Sequence, residues 1–337
     1  MISGAGQWCR HPDEPPGNAR ESCLAKPLTH IAIYMQPSRS GVTTTTPVPL
    51  HWVRYGPAGA PQLLVLHGGP GAHHDYLLPQ MLRLAENHEV IFYDQRGGGR
   101  SRTADHAPIT WRTHVHDLAL LAREMELAPL TLVGYSWGGL LAMLYAADVF
   151  GSGDPPLPPG SPSPARMVLI DPAPVTWEAR RVFESELGRR QKGAAIRRMR
   201  EDLAASGLRE RDPEAYRQRA FELSVAGYFA HPERARELTP FRVMGRVQQS
   251  VWDSLGQFDL RPDLTRISCP TLIFHGREDP IPLSASEEAA RNIPNARLVV
   301  LDDSGHVPYV EAPDALFGAI NSFLEETASA VLPPTRA

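Results

Sequence analysis

Leu130-Thr131-Leu132-Val133-Gly134-Tyr135-Ser136-Trp137-Gly138-Gly139 is the stretch that decides how this chain reads. A short strand-like run passes straight into Gly-x-Ser-x-Gly, and the apolar residues 140–149 that follow have the character of a buried helix. A serine at the tip of a strand–turn–helix is a nucleophile elbow. The turn leaves no room for side chains at its flanks, hence the glycines, and the helix N-terminus behind the hydroxyl favours developing negative charge. The competing reading is a glycine-rich turn with an incidental serine, so the partners elsewhere in the chain must decide.

Outward from this stretch, short apolar runs alternate with helical patterns. Strands are predicted at 31–35 and 50–55 as a pair, then at 63–66, 90–93, 167–170, 271–274 and 298–301, with helices over roughly 75–86, 110–127 and 312–330. Residues 151–164, rich in Gly, Pro and Ser, read as a surface loop. Residues 173–262 break the rhythm: they contain no convincing strand and carry Arg, Glu and Ala at helical spacing, as over 189–203 and 213–223. The alternation predicts an α/β fold with a mostly parallel central sheet and helices on both faces. The organisation expected is a flexible N-terminal extension over 1–28, a first core part over 29–172, a helical insertion over 173–262 and a second core part over 263–330.

In open sheets of this kind ligands bind beyond the carboxyl ends of the strands. Each polar motif in this chain follows a predicted strand, so all would meet at one sheet edge. A serine hydroxyl needs a base, and the base needs an orienting carboxylate, in the chain order Ser, Asp or Glu, His. His306, in the loop after the 298–301 strand, is the base this order selects. Asp279, in Gly276-Arg277-Glu278-Asp279-Pro280 after the 271–274 strand, is the preferred acid, because the residue before proline is held extended. Glu278 competes, while Asp302 and Asp303 read as solvated turn carboxylates. Acyl transfer also needs N–H donors for the oxyanion. One comes from the residue after the nucleophile, Trp137, and the other from His67-Gly68-Gly69-Pro70-Gly71, where Gly69 is preferred and Gly68 is second.

These pieces together resemble the α/β-hydrolase superfamily, in its proline iminopeptidase branch. The matching motifs are His67–Gly71, Asp94-Gln95-Arg96-Gly97-Gly98-Gly99-Arg100-Ser101, Gly134–Gly139, Gly276–Asp279 and Gly305-His306, in family order from about residue 49 to 325. The resemblance implies Ser136, Asp279 and His306 as a catalytic triad, Trp137 and Gly69 as oxyanion donors, no cofactor and no metal. It also implies that the helical insertion caps the active site and holds the free amino terminus of a peptide through carboxylates. Where related enzymes carry an acidic residue, this chain has Gln248, and Glu222 is the substitute the sequence offers, against its plainer reading as a solvated helix carboxylate. Tyr135 replaces a common glycine in the elbow. The Asp94–Ser101 segment reads as a brace for the surrounding loops.

The expected activity is hydrolysis of an amide or ester through an acyl-enzyme: a prolyl aminopeptidase first, a small-substrate esterase or amidase second. A non-catalytic receptor on the same fold is the contrasting class, disfavoured because no triad member is missing. A net charge of −4 with both signs interspersed gives no reason to expect nucleic acid or an anionic membrane as partner, so a small peptide or ester substrate is expected and the oligomeric state is open. Cys9, Cys23 and Cys269 form no metal-ligand spacing and no disulfide framework. With no secretory pattern at the start and no apolar run of membrane length, the expected location is the cytoplasm.

Overall fold

The computed structural model describes residues 35–104, 109–149 and 156–331. The expected extension over 1–28, with Cys9 and Cys23, lies outside these residues, as do positions 31–34 of the first expected strand.

Eight strands form one sheet in the order β1-β2-β4-β3-β5-β6-β7-β8. They are β1 Arg39–Val42, β2 His51–Tyr55, β3 Gln62–Leu66, β4 Glu89–Tyr93, β5 Leu130–Tyr135, β6 Pro164–Ile170, β7 Thr271–Gly276 and β8 Ala296–Leu301. β1 pairs with β2 and β2 with β4 in antiparallel fashion, while every other neighbouring pair is parallel. The partner of β2 is therefore Arg39–Val42 and not the segment expected at 31–35. β1 is an exposed edge strand containing Ser40 and Gly41, so it buries too little for apolar patterning to reveal it.

The central strands are buried on both faces. Leu64, Leu66 and Leu132 point into one core and Leu63, Val65 and Val133 into the other, as the two-residue strand period requires. That double burial is why these strands read as continuous apolar runs. Helix α1 (Trp111–Glu124) is started by Thr110, whose hydroxyl accepts the Thr113 N–H at 3.1 Å. Together with α2 (Trp137–Val149) it covers the first face. The region expected to be one helix at 75–86 is two 3₁₀ segments, His74–Leu77 and Gln80–Glu86, interrupted at Pro79, which has no N–H to continue the ladder.

Between β6 and β7 the chain forms α3 (Trp177–Gln191), α4 (Ala194–Ala205), α5 (Pro213–Val225) and α6 (Gly245–Leu255), with short helical turns between them. The helix expected over 189–203 is broken at Lys192-Gly193, whose N–H groups turn back to Arg189 and Arg190 carbonyls. The two ends of this insertion are tied together. Trp177 N–H donates to Phe258 O at 2.9 Å and Leu260 N–H to Val175 O at 3.0 Å. α7 (Leu283–Asn292), which had no counterpart in the sequence reading, and α8 (Pro313–Val331) complete the core. Among the described residues, no helix is long and apolar enough to cross a membrane.

Candidate active site

Ser136 occupies the turn between β5 and α2 with φ +53°, a left-handed conformation that costs a non-glycine residue about 1–3 kcal/mol. Backbone bonds hold it there: its N–H donates to Ile170 O at 2.9 Å, and its carbonyl accepts from Gly139 and Ala173 at 2.9 Å each. The flanking glycines are sterically required. A Cβ on Gly138 would lie 2.0 Å from Leu66 O, and one on Gly134 would lie 2.5 Å from Gly138 O.

His306, in the loop after β8, places Nε2 3.0 Å from Ser136 Oγ. Its Nδ1 is 2.8 Å from Asp279 Oδ2, in the loop after β7. Asp279 Oδ1 accepts the Ile281 N–H at 2.7 Å. The three side chains thus form one hydrogen-bonded series. Glu278 turns away and accepts the Ser304 N–H at 3.1 Å, while Asp302 and Asp303 are exposed. The His306 loop is pinned by a buried-edge carboxylate, Glu311, which accepts the Gly305 N–H at 2.7 Å and the Ala230 N–H at 3.0 Å. Burial lowers the His306 pKa to about 4, against the opposing charges of Asp171 and Glu311. Burial raises Asp279 to about 7, opposed by hydrogen bonds from Asp171 and Ile281.

Asp171, at the end of β6, was not singled out from the sequence. It is fully buried and lies beside Asp279, with ligand atoms of Asp171, His275 and Asp279 all within 4.8 Å of one another. Burial, and then the Asp279 charge, raise its pKa well above the usual carboxylate range. Two buried carboxylates this close cannot both ionise. Asp279 takes the charge because it accepts from both Ile281 and His306. This grouping is also internally engaged. His275 Nδ1 bonds Ser286 Oγ at 2.8 Å and its Nε2 bonds Ile281 O at 3.1 Å, leaving neither nitrogen for an ion.

The loop after β3 runs over the same edge. Gly68 donates its N–H to Tyr76 Oη at 2.8 Å, so it is engaged and serves by its small size, with Ser136 Cβ 3.0 Å from where its own Cβ would be. Gly69 has φ +54°, and its carbonyl accepts from Ala72 at 2.9 Å. Among the described residues, the N–H groups of Gly69 and Trp137 have no protein acceptor. Trp137 opens α2, where helical N–H groups have no intrahelical partner.

Ser136 and His306 open into a cavity of about 560 Å³ that is also lined by Gly69 and Trp137. The helical insertion supplies the opposite wall, including Arg180, Phe183, Glu184, Phe221, Gln248 and Trp252. Gln248 lines the cavity. Glu222 does not. It faces α4 across a separate pocket shared with Met199 and Leu203, where it is buried and bonded to Arg219 at 2.8 Å. One position away, Phe221 takes the cavity-facing side of α5. Glu184 is the one carboxylate among the described lining residues, and it pairs with Arg180 at 2.6 Å. Arg180 in turn lies over the Trp252 ring at 4.1 Å. Tyr135 lies in the cavity wall against His306 and Tyr309, with ring centroids 5.3 and 5.1 Å away.

A family model described as the alpha/beta hydrolase family matches residues 63–319. The chain belongs to the alpha/beta hydrolase family. As such it is a hydrolase, and its curated relatives include several named proline iminopeptidase. One, from Heyndrickxia coagulans, is 28% identical over 278 residues, covering 79% of this chain and 91% of the relative. Another, from Saccharolobus solfataricus, is 26% identical over 277 residues, covering 79% and 86%. Among solved structures, a proline iminopeptidase from Mycobacterium smegmatis superposes with a TM-score of 0.63 at 19% identity, covering 87% of this chain and all of that one. A proline iminopeptidase-related protein from Thermus thermophilus gives 0.64 at 24% identity, covering 87% and 99%. At these identities the structural likeness shows the alpha/beta hydrolase fold alone.

Proposed function

We propose that this hydrolase cleaves an amide or ester bond through an acyl-enzyme. Ser136 Oγ attacks the carbonyl while His306 Nε2 accepts its proton. Asp279 holds the imidazole and stabilises its charged form, and the Trp137 and Gly69 N–H groups receive the oxyanion. His306 then returns the proton to the leaving group, and water drawn onto His306 hydrolyses the acyl-enzyme. The carrying observation is the continuous hydrogen-bonded series, 3.0 Å from Ser136 Oγ to His306 Nε2 and 2.8 Å from His306 Nδ1 to Asp279 Oδ2. The helical insertion within 173–262 acts as a cap, since its side chains form the wall facing Ser136.

The first substrate reading is a small peptide with a free amino terminus, as the names of the curated relatives suggest. In this reading Glu184 is the carboxylate that meets the amine. The second reading, a small ester or amide without an amine, draws on the Arg180–Glu184 pair, which leaves the cavity wall with no uncompensated negative charge. Rates for proline naphthylamide, its N-acylated form and short nitrophenyl esters separate the two. An aminopeptidase loses turnover when the amine is blocked, whereas an esterase or amidase does not distinguish the free and blocked forms.

A further inference from the structure

Gln95 lies in the Asp94–Ser101 segment, which the sequence marks as a brace and to which the acyl-transfer chemistry assigns no role. Its backbone N–H donates to His67 Nε2 at 3.1 Å, and its side-chain Nε2 donates to His67 O at 2.8 Å. Its Oε1 accepts the Trp137 indole N–H at 2.8 Å, and its carbonyl accepts the Gly98 N–H at 3.0 Å. One planar amide thus joins the loop after β3 to the first residue of α2. Gln95 and His67 are fully buried and Trp137 is 1% exposed.

We propose that Gln95 is the positioning residue of the oxyanion site, fixing the Gly69 and Trp137 N–H groups relative to one another. The inference rests on the reading of those two groups as oxyanion donors. The loop from His67 to Gly69 is already tied at other points. His67 Nδ1 lies 2.8 Å from Gly68 O, and because Nε2 accepts from Gln95, Nδ1 carries the proton and donates. Burial lowers the His67 pKa to about 4, which keeps this tautomer neutral. Gly68 N–H and Gly69 O are engaged with Tyr76 and Ala72. These bonds shape the loop itself; beside the packing of the Leu66 and His67 carbonyls against Gly138, the Gln95 side chain adds a hydrogen-bonded link from the loop to the Trp137 side chain at the start of α2. Oxyanion donors work only when placed within a few tenths of an ångström of the developing charge, and a misplacement of about 1 Å can cost about 10²-fold. Hydrogen bonds in a buried site are strong when complete, and each partner is costly when left alone. The same geometry explains why three motifs far apart in the chain occur together: the Gly-rich loop, the Asp-Gln-Arg-Gly turn and the tryptophan after the nucleophile meet at one side chain.

The test compares wild type with Gln95→Met, which keeps length and removes both side-chain bonds, and with Trp137→Phe, which removes the indole donor and leaves the His67 bonds. Nitrophenyl acetate reports turnover, and a phenylalkyl trifluoromethyl ketone, which forms a tetrahedral adduct on serine, reports oxyanion stabilisation. The expected result for Gln95→Met is a fall in kcat of about 10- to 10²-fold with KM within about threefold, and a parallel loss of ketone affinity. Trp137→Phe should fall similarly, and the double variant should lose no more than about threefold beyond the worse single, because both break one clamp. A purely structural Gln95 would lower the melting temperature and leave kcat and ketone affinity of the folded enzyme unchanged, which overturns the inference. So would losses that multiply in the double variant. If Gln95→Met does not fold, Trp137→Phe carries the same comparison. Failure of the ketone to inhibit wild type refutes the underlying acyl-enzyme reading itself, and the Gln95 inference with it; inhibition of wild type with unchanged variants refutes Gln95 alone.

Discussion

His306 Nε2 lies 3.0 Å from Ser136 Oγ across 170 positions of chain, and the carboxyl ends of β5 and β8 bring them together. Removing the imidazole by His306→Ala should lower kcat by on the order of 10³-fold or more without unfolding the protein, read by nitrophenyl acetate turnover beside circular dichroism. A loss below tenfold would count against His306 as the base.

Asp171 and Asp279 are both buried beside the same imidazole, and they make opposite predictions. On the proposed mechanism, Asp279→Asn removes the charge that stabilises the His306 imidazolium and should cost about 10³- to 10⁴-fold in kcat. Asp171 is already held protonated by burial and by the neighbouring Asp279 charge, so Asp171→Asn should stay within about tenfold of wild type. Reversal of the two effects would move the acid to the end of β6.

The pH profile follows from the same pair. His306 accepts a proton only while neutral, and burial keeps it so down to about pH 4. Asp279 must be ionised, and burial raises it to about 7, so its carboxylate is lost as the pH falls below that value. The pair titrates as a unit. kcat/KM should rise through about 7, where half of Asp279 is ionised, to a plateau at higher pH, and should fall along the acid limb toward about 4. A maximum near pH 5 in a series run from pH 4 to 9 would contradict this assignment.

Much of this is legible in the sequence, for a physical reason. Strands β3 to β7 bury both faces, so each reads as an apolar run, and the motifs of Gly69, Gln95, Ser136 and Asp279 follow such runs directly, while His306 follows the partly exposed β8. Edge strand β1 carries no comparable signal, and its expected place at 31–35 was wrong for β2's partner. The cavity wall formed by the helical insertion was not legible either. Arg180 and Glu184 look like any solvated pair on a charged helix, and only the packing of α3 over the sheet edge brings them into the cavity. Glu222 misled for the converse reason: its helix was recognised, but which side of that helix faces Ser136 depends on α4. Gln95 stands inside a legible motif, yet its contacts with His67 and Trp137 become visible only in the fold.

Glu184 offers a direct reading of substrate charge. If it meets a substrate amine, Glu184→Gln should raise KM for proline naphthylamide by about 10- to 10²-fold, the worth of a charged hydrogen bond, and leave nitrophenyl acetate within about twofold. Equal effects on both substrates would place Glu184 in cavity packing alone.

Gly138 tests the elbow sterically. A Cβ there would press on Leu66 O at 2.0 Å and His67 O at 2.8 Å, both backbone atoms that cannot swing aside. Gly138→Ala should destabilise the fold by about 3 kcal/mol or more in urea unfolding. An unchanged midpoint would show that the turn accepts a β-carbon at this position.

Covalent capture of the nucleophile tests the acyl-enzyme most directly. Wild-type protein treated with a fluorophosphonate should gain one adduct mass by intact mass spectrometry, mapped by peptide digestion to Ser136, and Ser136→Ala should gain none while remaining folded. An adduct on another residue, or a wild-type protein that stays unmodified under conditions that label a known serine hydrolase, would contradict the assignment.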